Sequence, residues 1–427
     1  MNGRASPTRR GAAYLIALLA GTIVTITGLS ALSMATSRSK ETILTDQAAR
    51  ARLLAQSSFE HGLGALSAHF DDGQTRASLE SSFTKSITLS DGQLEWSLTE
   101  IDGSPLDNAD GPIVVRGKAT YGQAVHIVEG ILPPSGDPYD VLATGLYAGG
   151  ELRMGANSTL TSDAVVGAIG DVHGSSSNIN TDVESAGSIS GSHYSMSTTE
   201  DAPARRMPED TLFDYYAALG DTINVDLLPT FLGSPVIQNV LLSPNSNPYG
   251  DTNELGIYVL DCSGGRRFVL QNVRIRGTLV LLDSDEANVI IGAGVFMKPA
   301  YDWMPTLLVR GGVTFMGTNT GPNESILGVN LNPPHTPYQF EGDADTADAY
   351  PARIEGVSYA SGNVTFALAR QNFKGTMIVG GDARINGFVP VNITYDPGVA
   401  HLPPYGFFDD TDGELALDPS TIVWELP

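Results

Sequence analysis

Between Gly11 and Ser37 the chain carries no charge, and most of the run AAYLIALLAGTIVTITGLSALSMA is apolar. Those 27 uncharged residues exceed the roughly 20 that cross a bilayer as a helix. Beyond them the pattern turns amphipathic. Leu44, Ala48, Ala51, Ala55, Phe59, Leu63 and Leu66 recur at steps of three or four, which puts them on one helical face. Lys40, Glu41, Asp46, Arg50, Arg52 and Glu60 lie on the other. No proline falls between Pro7 and Pro105. One helix from Ala12 to about Ala68 is therefore predicted, roughly 85 Å long at 1.5 Å per residue. Gly62 and Gly64 weaken its end, and Asp71-Asp72-Gly73 marks the stop.

Two fates of the apolar run compete. A cleaved secretory signal would use a small-residue site such as Ala31-Leu32-Ser33. A retained helix would span the membrane over 12–37. The uninterrupted amphipathic continuation favours retention. Arg4, Arg9 and Arg10 before the run favour a cytoplasmic N-terminus and an exported C-terminal part, with Arg38 and Lys40 opposing that bias.

Downstream the period changes from helix to strand. Residues 75–136 hold the segments SITLSDGQLEWSLTEI and PIVVRGKATYGQAVHIVEGIL, with turn signals at Asp91-Gly92 and Gly122. They predict a small antiparallel β segment, with His126 as a structural strand residue and Pro133-Pro134-Ser135-Gly136 as a linker. From 138 to 405, short apolar stretches end in Gly, Asn or Asp. One unit recurs: 146–150 LYAGG, 308–312 LVRGG, 357–363 VSYASGN and 377–382 MIVGGD. Strands this short bury a face only when stacked coil on coil. A right-handed parallel β-solenoid is the first expectation and a β-sandwich the alternative, so the fold class is mainly β. Two insertions are expected. Residues 193–232 contain the short helix TLFDYYAALG, whose Phe213, Tyr216, Ala217 and Leu219 would cover an end or side. Residues 320–353 form an excursion rich in Pro and Asp. Residues 406–427 read as a C-terminal tail.

The N-terminal segment RRGAAYLIALLAGTIVTITGLSALSMATSRSKETILTDQAARARLLAQSSFEHGLGAL resembles that of PilX-type minor pilins of type IV pili and the related minor pseudopilins. The resemblance covers about the first 70 residues. It implies a leader of residues 1–11, cut between Gly11 and Ala12 by a prepilin peptidase, and a helix over 12–70 that stays attached. Tyr14, Leu15, Ile16, Leu44 and Phe59 would then serve fibre or membrane packing. The fifth position after the cut, usually glutamate in major pilins, is Ile16 here, as in tip-type minor members. The stretches at 149–173, GTLVLL (277–282), GNVTF (362–366) and NITYDPG (392–398) resemble β-solenoid ectodomains that follow such N-termini. The implied partners are other pilin-like subunits, the pilus assembly machinery and the membrane. The implied location is the inner (cytoplasmic) membrane, single-pass, with display on a pilus or the cell surface.

Charge and chemistry narrow the picture further. The chain has 48 acidic against 24 basic residues, a net charge of −24, which argues against nucleic acid as a partner. The single Cys262 excludes an intramolecular disulfide framework and reads as a buried inert thiol. No HExxH or paired-carboxylate spacing stands out, and Arg274, Arg276 and Lys374 form no constellation, so no catalytic residues are assigned and a non-enzymatic role is expected. The alternative is a membrane-anchored solenoid that binds or cleaves surface polysaccharide, with Tyr301 and Trp303 as a possible glycan-facing loop. DDTDGEL (409–415) and EGDADTAD (341–348) both miss the EF-hand spacing. Asp410 and Asp412 are retained as weak calcium candidates, no other cofactor is expected, and solvated acidic loops are the simpler reading.

Overall fold

The structure, a computed structural model, describes residues 9–71, 83–90, 92–100, 106, 112–132, 136–191, 196–317, 319–409 and 423–425, with the backbone alone at 9–26, 28, 70–71 and 423–425. The chain divides into two compact units, 1–132 with 417–427, and 133–416.

In the first unit one helix, α1 (Arg9–Asp71), runs without a break for 63 residues. Its sheet is an antiparallel meander of β1 (Phe83–Thr88), β2 (Gly92–Thr99), β3 (Ile113–Tyr121) and β4 (Ala124–Leu132). The backbone of Val423–Glu425 adds a fifth strand beside β4. The predicted tail thus returns to the first unit, in a run of β-branched and aromatic residues suited to an edge strand. The alternation seen in the sequence is the burial pattern: Leu94, Trp96 and Leu98 of β2 point into the core with Ile113, Val115 and Ala119 of β3. Ala51, Ala55, Ser58, Phe59 and Leu66 of α1 are fully buried. Gly117 sets how close helix and sheet come, since a Cβ there would lie 2.4 Å from the Phe59 nitrogen and 2.6 Å from the Ala55 carbonyl oxygen.

The second unit is a three-sided stack of parallel strands, as the solenoid reading expects and the sandwich alternative does not. The four recurring sequence units lie in one ladder. Leu307–Val309 pairs with Ser358–Ala360, that with Met377–Val379, and that with Leu146–Ala148. Every second residue of these strands, such as Leu146, Ala148, Met377, Val379, Leu307 and Val309, enters one continuous core. The glycines after them mark a corner where backbones meet directly. A Cβ at Gly149 would sit 2.3 Å from the Gly380 oxygen, and one at Gly380 would sit 2.4 Å from that of Ser361.

The order of the coils departs from chain order. The first coil (Leu146–Ala148, Leu152–Met154, Thr159–Ser162) stacks on the last (Gln371–Val379, Ala383–Ile385, Pro390–Thr394). From that waist the chain climbs through Val166–Ser185 to one end near Thr198–Thr199. It resumes at the far end, where Asp221–Thr222 and Ser234–Leu242 pair only inward among parallel neighbours, and works back. The segment 193–232, expected as an insertion, is therefore the crossover between the two ends. Its helix α2 (Thr211–Leu219) lies along one side, with Leu212, Phe213 and Tyr216 buried. Phe213 stacks on Tyr359 (centroids 5.5 Å), and the Tyr359 hydroxyl donates to the Pro208 carbonyl (3.3 Å). This cover explains why the strands beneath are apolar on both faces: Tyr147, Leu308, Tyr359 and Ile378 point away from the solenoid core yet stay buried.

Phe213→Ala truncates a fully buried aromatic side chain of this cover. A loss of about 3–5 kcal/mol is expected from the solenoid transition in urea. A loss below about 1 kcal/mol would show that the crossover does not hold the side it covers.

Candidate functional site

The feature that no part of the first unit accounts for is the portion of α1 before the sheet. The stripe that β2–β4 bury begins at Ala51. Leu44, expected on that stripe, is 50% exposed, and Ala48 is exposed too. Leu29, Leu32, Met34, Ile43 and Leu53 are between 54% and 66% exposed. With 3.6 residues per turn, Leu29, Leu32, Ile43 and Leu44 fall on one side of the helix. Isolated, this stretch would be unstable in water, because amphipathic helices draw most of their stability from packing one face. Phe59, the other packing residue expected from sequence, is buried within the unit's own core, against Gly117.

The helix is pinned where the sheet begins. Arg50 pairs with Asp46 (3.0 Å), donates to the Tyr121 hydroxyl (3.0 Å) and lies over the Tyr121 ring. Its hydrogen bond to Asp46 and that carboxylate's charge raise the guanidinium pKa. Gln47 accepts from the Gln123 backbone N–H (3.3 Å) across the β3–β4 turn, which Gly122 makes at φ +59°. Further along, Ser58 donates to the Glu95 carbonyl (2.6 Å).

The backbone is helical through Gly11, Ala12, Tyr14, Leu15 and Ile16, whose side chains lie outside the described residues, as do most of those in the proposed span 12–37. Among the described residues no helix is long and apolar enough to cross a membrane.

The remaining candidates resolve into structural roles or fall outside the described part. Asp410 and Asp412 are outside it. Trp303 is 4% exposed and stacks on Tyr301 (5.6 Å), whose hydroxyl donates to the Glu254 carbonyl (3.4 Å), so this aromatic pair packs on its own unit. Arg274 is buried and gives its guanidinium to the carbonyls of Leu331, Thr336 and Pro337; burial lowers its pKa to about 10. Lys374 pairs with Asp396 (3.2 Å). His126 lies in β4, with Nε2 buried and unpartnered. Cys262 is 2% exposed, and burial raises its thiol pKa from 9.0 to about 12.

No protein-family model matches the chain, and no curated protein matches it. Among solved structures it is similar to the competence-associated pilin ComZ of Thermus thermophilus, at 10% identity and a TM-score of 0.31 over 89% of this chain and 97% of that one. It is also similar to an ice-binding protein of the Antarctic ascomycete Antarctomyces psychrotrophicus (11% identity, TM-score 0.22, 61% of this chain and 99% of that one). The DUF3494 domain of Shewanella frigidimarina ice-binding protein 1 gives 12% identity and a TM-score of 0.22, over 61% of this chain and 98% of that one. Overlaps this slight carry no functional argument.

The Cys262 thiol should resist alkylation at pH 8 in the folded chain and react fully once the chain is unfolded. Its raised folded pKa also fixes a sign. Above about pH 9 the unfolded thiol ionises while the folded one stays protonated, so this group's contribution to stability falls as pH rises from 9 toward 12. Titrating stability in parent and Cys262→Ala chains checks this: the parent should lose more over that window.

Proposed function

We propose that the chain is a non-enzymatic minor subunit of a type IV pilus or related fibre, of the PilX type, held in the inner membrane by its N-terminal helix before assembly. The observation that carries the reading is the division of α1. One continuous helix has its 51–66 portion buried in a sheet, while the portion from Leu29 to Leu44 presents apolar side chains that the unit does not cover. With the uncharged run before it, such a helix has two environments that keep its surface from water, lipid and the helices of neighbouring subunits. Passage from the first to the second leaves little apolar surface wet. The basic residues Arg4, Arg9 and Arg10 ahead of Gly11 and the isoleucine in place of a glutamate at position 16 support a subunit cut after Gly11 and a minor one over a self-polymerising one. The solenoid is then the part displayed outside the membrane, with other pilin-like chains and the assembly machinery as partners. Polysaccharide binding through Tyr301 and Trp303 is the weaker reading, because that pair is packed into its own unit.

Two measurements test the reading in the native host. Sequencing the N-terminus of the processed chain should give Ala12; a start beyond Ser37 would remove the helix and with it the proposal. Replacing Leu29 and Leu32 by Asp should leave the unfolding transitions of both units unchanged, because neither side chain is buried, yet abolish recovery of the chain in sheared fibres. Normal fibre incorporation of that variant would overturn the role assigned to this face.

A further inference from the structure

One corner of the solenoid is turned, coil after coil, by a residue with positive φ. The ladders on either side of it place Asn239, Asn272, Gly294, Leu368, Phe388, Asn157 and Ser176 in one column. Their φ angles all lie between +51° and +72°. Asparagine and glycine tolerate this backbone, whereas a bulky side chain there is an outlier. Leu368 and Phe388 stand there on adjacent coils, and both are 76% exposed. A strained backbone and an apolar side chain in water are two costs with no return inside the chain. Strain held in this way marks functional positions.

The charge of this ridge is the reverse of the chain's. The turns 366–373, 385–392, 154–160 and 174–180 contain no Asp or Glu, in a chain with 48. Arg370 follows Leu368 by two residues and Arg384 precedes Phe388 by four. Both arginines are exposed, and among the described residues neither pairs with an acid. Between the levels of Gly294 and Leu368 the chain leaves for the excursion 320–353. A cleft there is lined by Gly294, Gly317, Arg353, Arg370 and Gln371, with no acid among its lining residues.

On the face that leads away from the ridge, a row of short polar side chains climbs the coils. Asn372 stands in register with Asn392, Asn392 with Thr161, and Thr161 with Asn180. Asn392 Nδ2 donates to Asn372 Oδ1 (3.1 Å), and Asn180 Nδ2 to Thr161 Oγ1 (3.3 Å). Strand alternation puts Arg370 on the same face as Asn372, since Gln371 and Phe373 are buried. Neighbouring strands stand about 4.8 Å apart, close to the length of one pyranose unit in an extended polysaccharide. Apolar ridge, cationic flank and amide row thus run side by side up the stack.

We propose that this ridge and the row beside it bind an acidic polysaccharide. The C–H faces of its rings pack on Leu368 and Phe388, its hydroxyls bond the Asn and Thr row, and its carboxylates pair with Arg370 and Arg384. A lipid surface or an apolar protein face would leave the amides of Asn372, Asn392 and Asn180 facing it without partners. The site is separate from the role proposed for α1, and either can fail alone. The full processed chain in detergent micelles is titrated calorimetrically with polygalacturonate, alginate and neutral dextran. The two acidic polymers should bind, more weakly as salt is added, and dextran should not. A Leu368→Asn, Phe388→Asn double variant gives these coils the residue found at Asn157 and Asn272. It should keep or raise the urea midpoint of the solenoid while binding at least about tenfold more weakly. Arg370→Gln should fold as the parent does, bind at least about tenfold more weakly and lose part of the salt dependence. The proposal is overturned if neither acidic polymer binds, if both variants bind as the parent does, or if dextran binds equally well. Loss of the double variant from sheared fibres, with no polysaccharide bound by the parent, would instead assign the ridge to a neighbouring subunit.

Discussion

The parallel ladder between Leu146–Ser162 and Gln371–Thr394 is the constraint on which the second unit depends. It joins the first coil of the chain to the last, so the solenoid has no covalent continuity at its waist and is held there by backbone hydrogen bonds and shared core. The Val379 carbonyl accepts from Gly149 N–H (2.7 Å) and the Ile385 carbonyl from Gly155 N–H (2.7 Å), while Leu146, Leu152 and Leu160 stack over Met377, Ala383 and Val391 inside. Cooperativity across the stack must pass through this non-covalent joint. Everything at the ends, including the crossover helix on the side, relies on it.

The corner that recurs in the sequence was legible for a physical reason. Backbone-on-backbone stacking excludes a Cβ, so glycine recurs at these corners beside an apolar inward alternation. That logic found Leu146-Tyr147-Ala148-Gly149-Gly150 and Met377-Ile378-Val379-Gly380-Gly381 as equivalents, and the structure places them side by side. Stack order was not legible, because any such corner fits on any other. The crossover consequently looked like an insertion, although the apolar outward positions Tyr147, Leu308 and Ile378 were a signal that something had to cover them.

The helix was read well in extent and less well in use. Periodicity alone placed Leu44 and Ala48 on the buried stripe, but burial starts only where the sheet does, at Ala51, and the sheet's length is not written in the helix. Phe59 shows the converse: an aromatic at the right spacing is absorbed by Gly117 from another strand, a pairing no local window reveals. The grouping of three carboxylates in the excursion 320–353 was legible only in part: EGDADTAD holds Asp345 and Asp348, but Glu324 joins them from the other limb of the excursion, outside any local window.

The waist has a mechanical consequence. Asp137–Pro138, where the chain enters the solenoid, pairs antiparallel with Phe408–Asp409, where it leaves. Tension drawn along the N-terminal rod would arrive beside that two-stranded clasp, near the middle of the stack instead of at a tip. The pair is short, two residues on each side, but it lies ahead of the coils, and neither free end of the prism is offered as a place for peeling to begin.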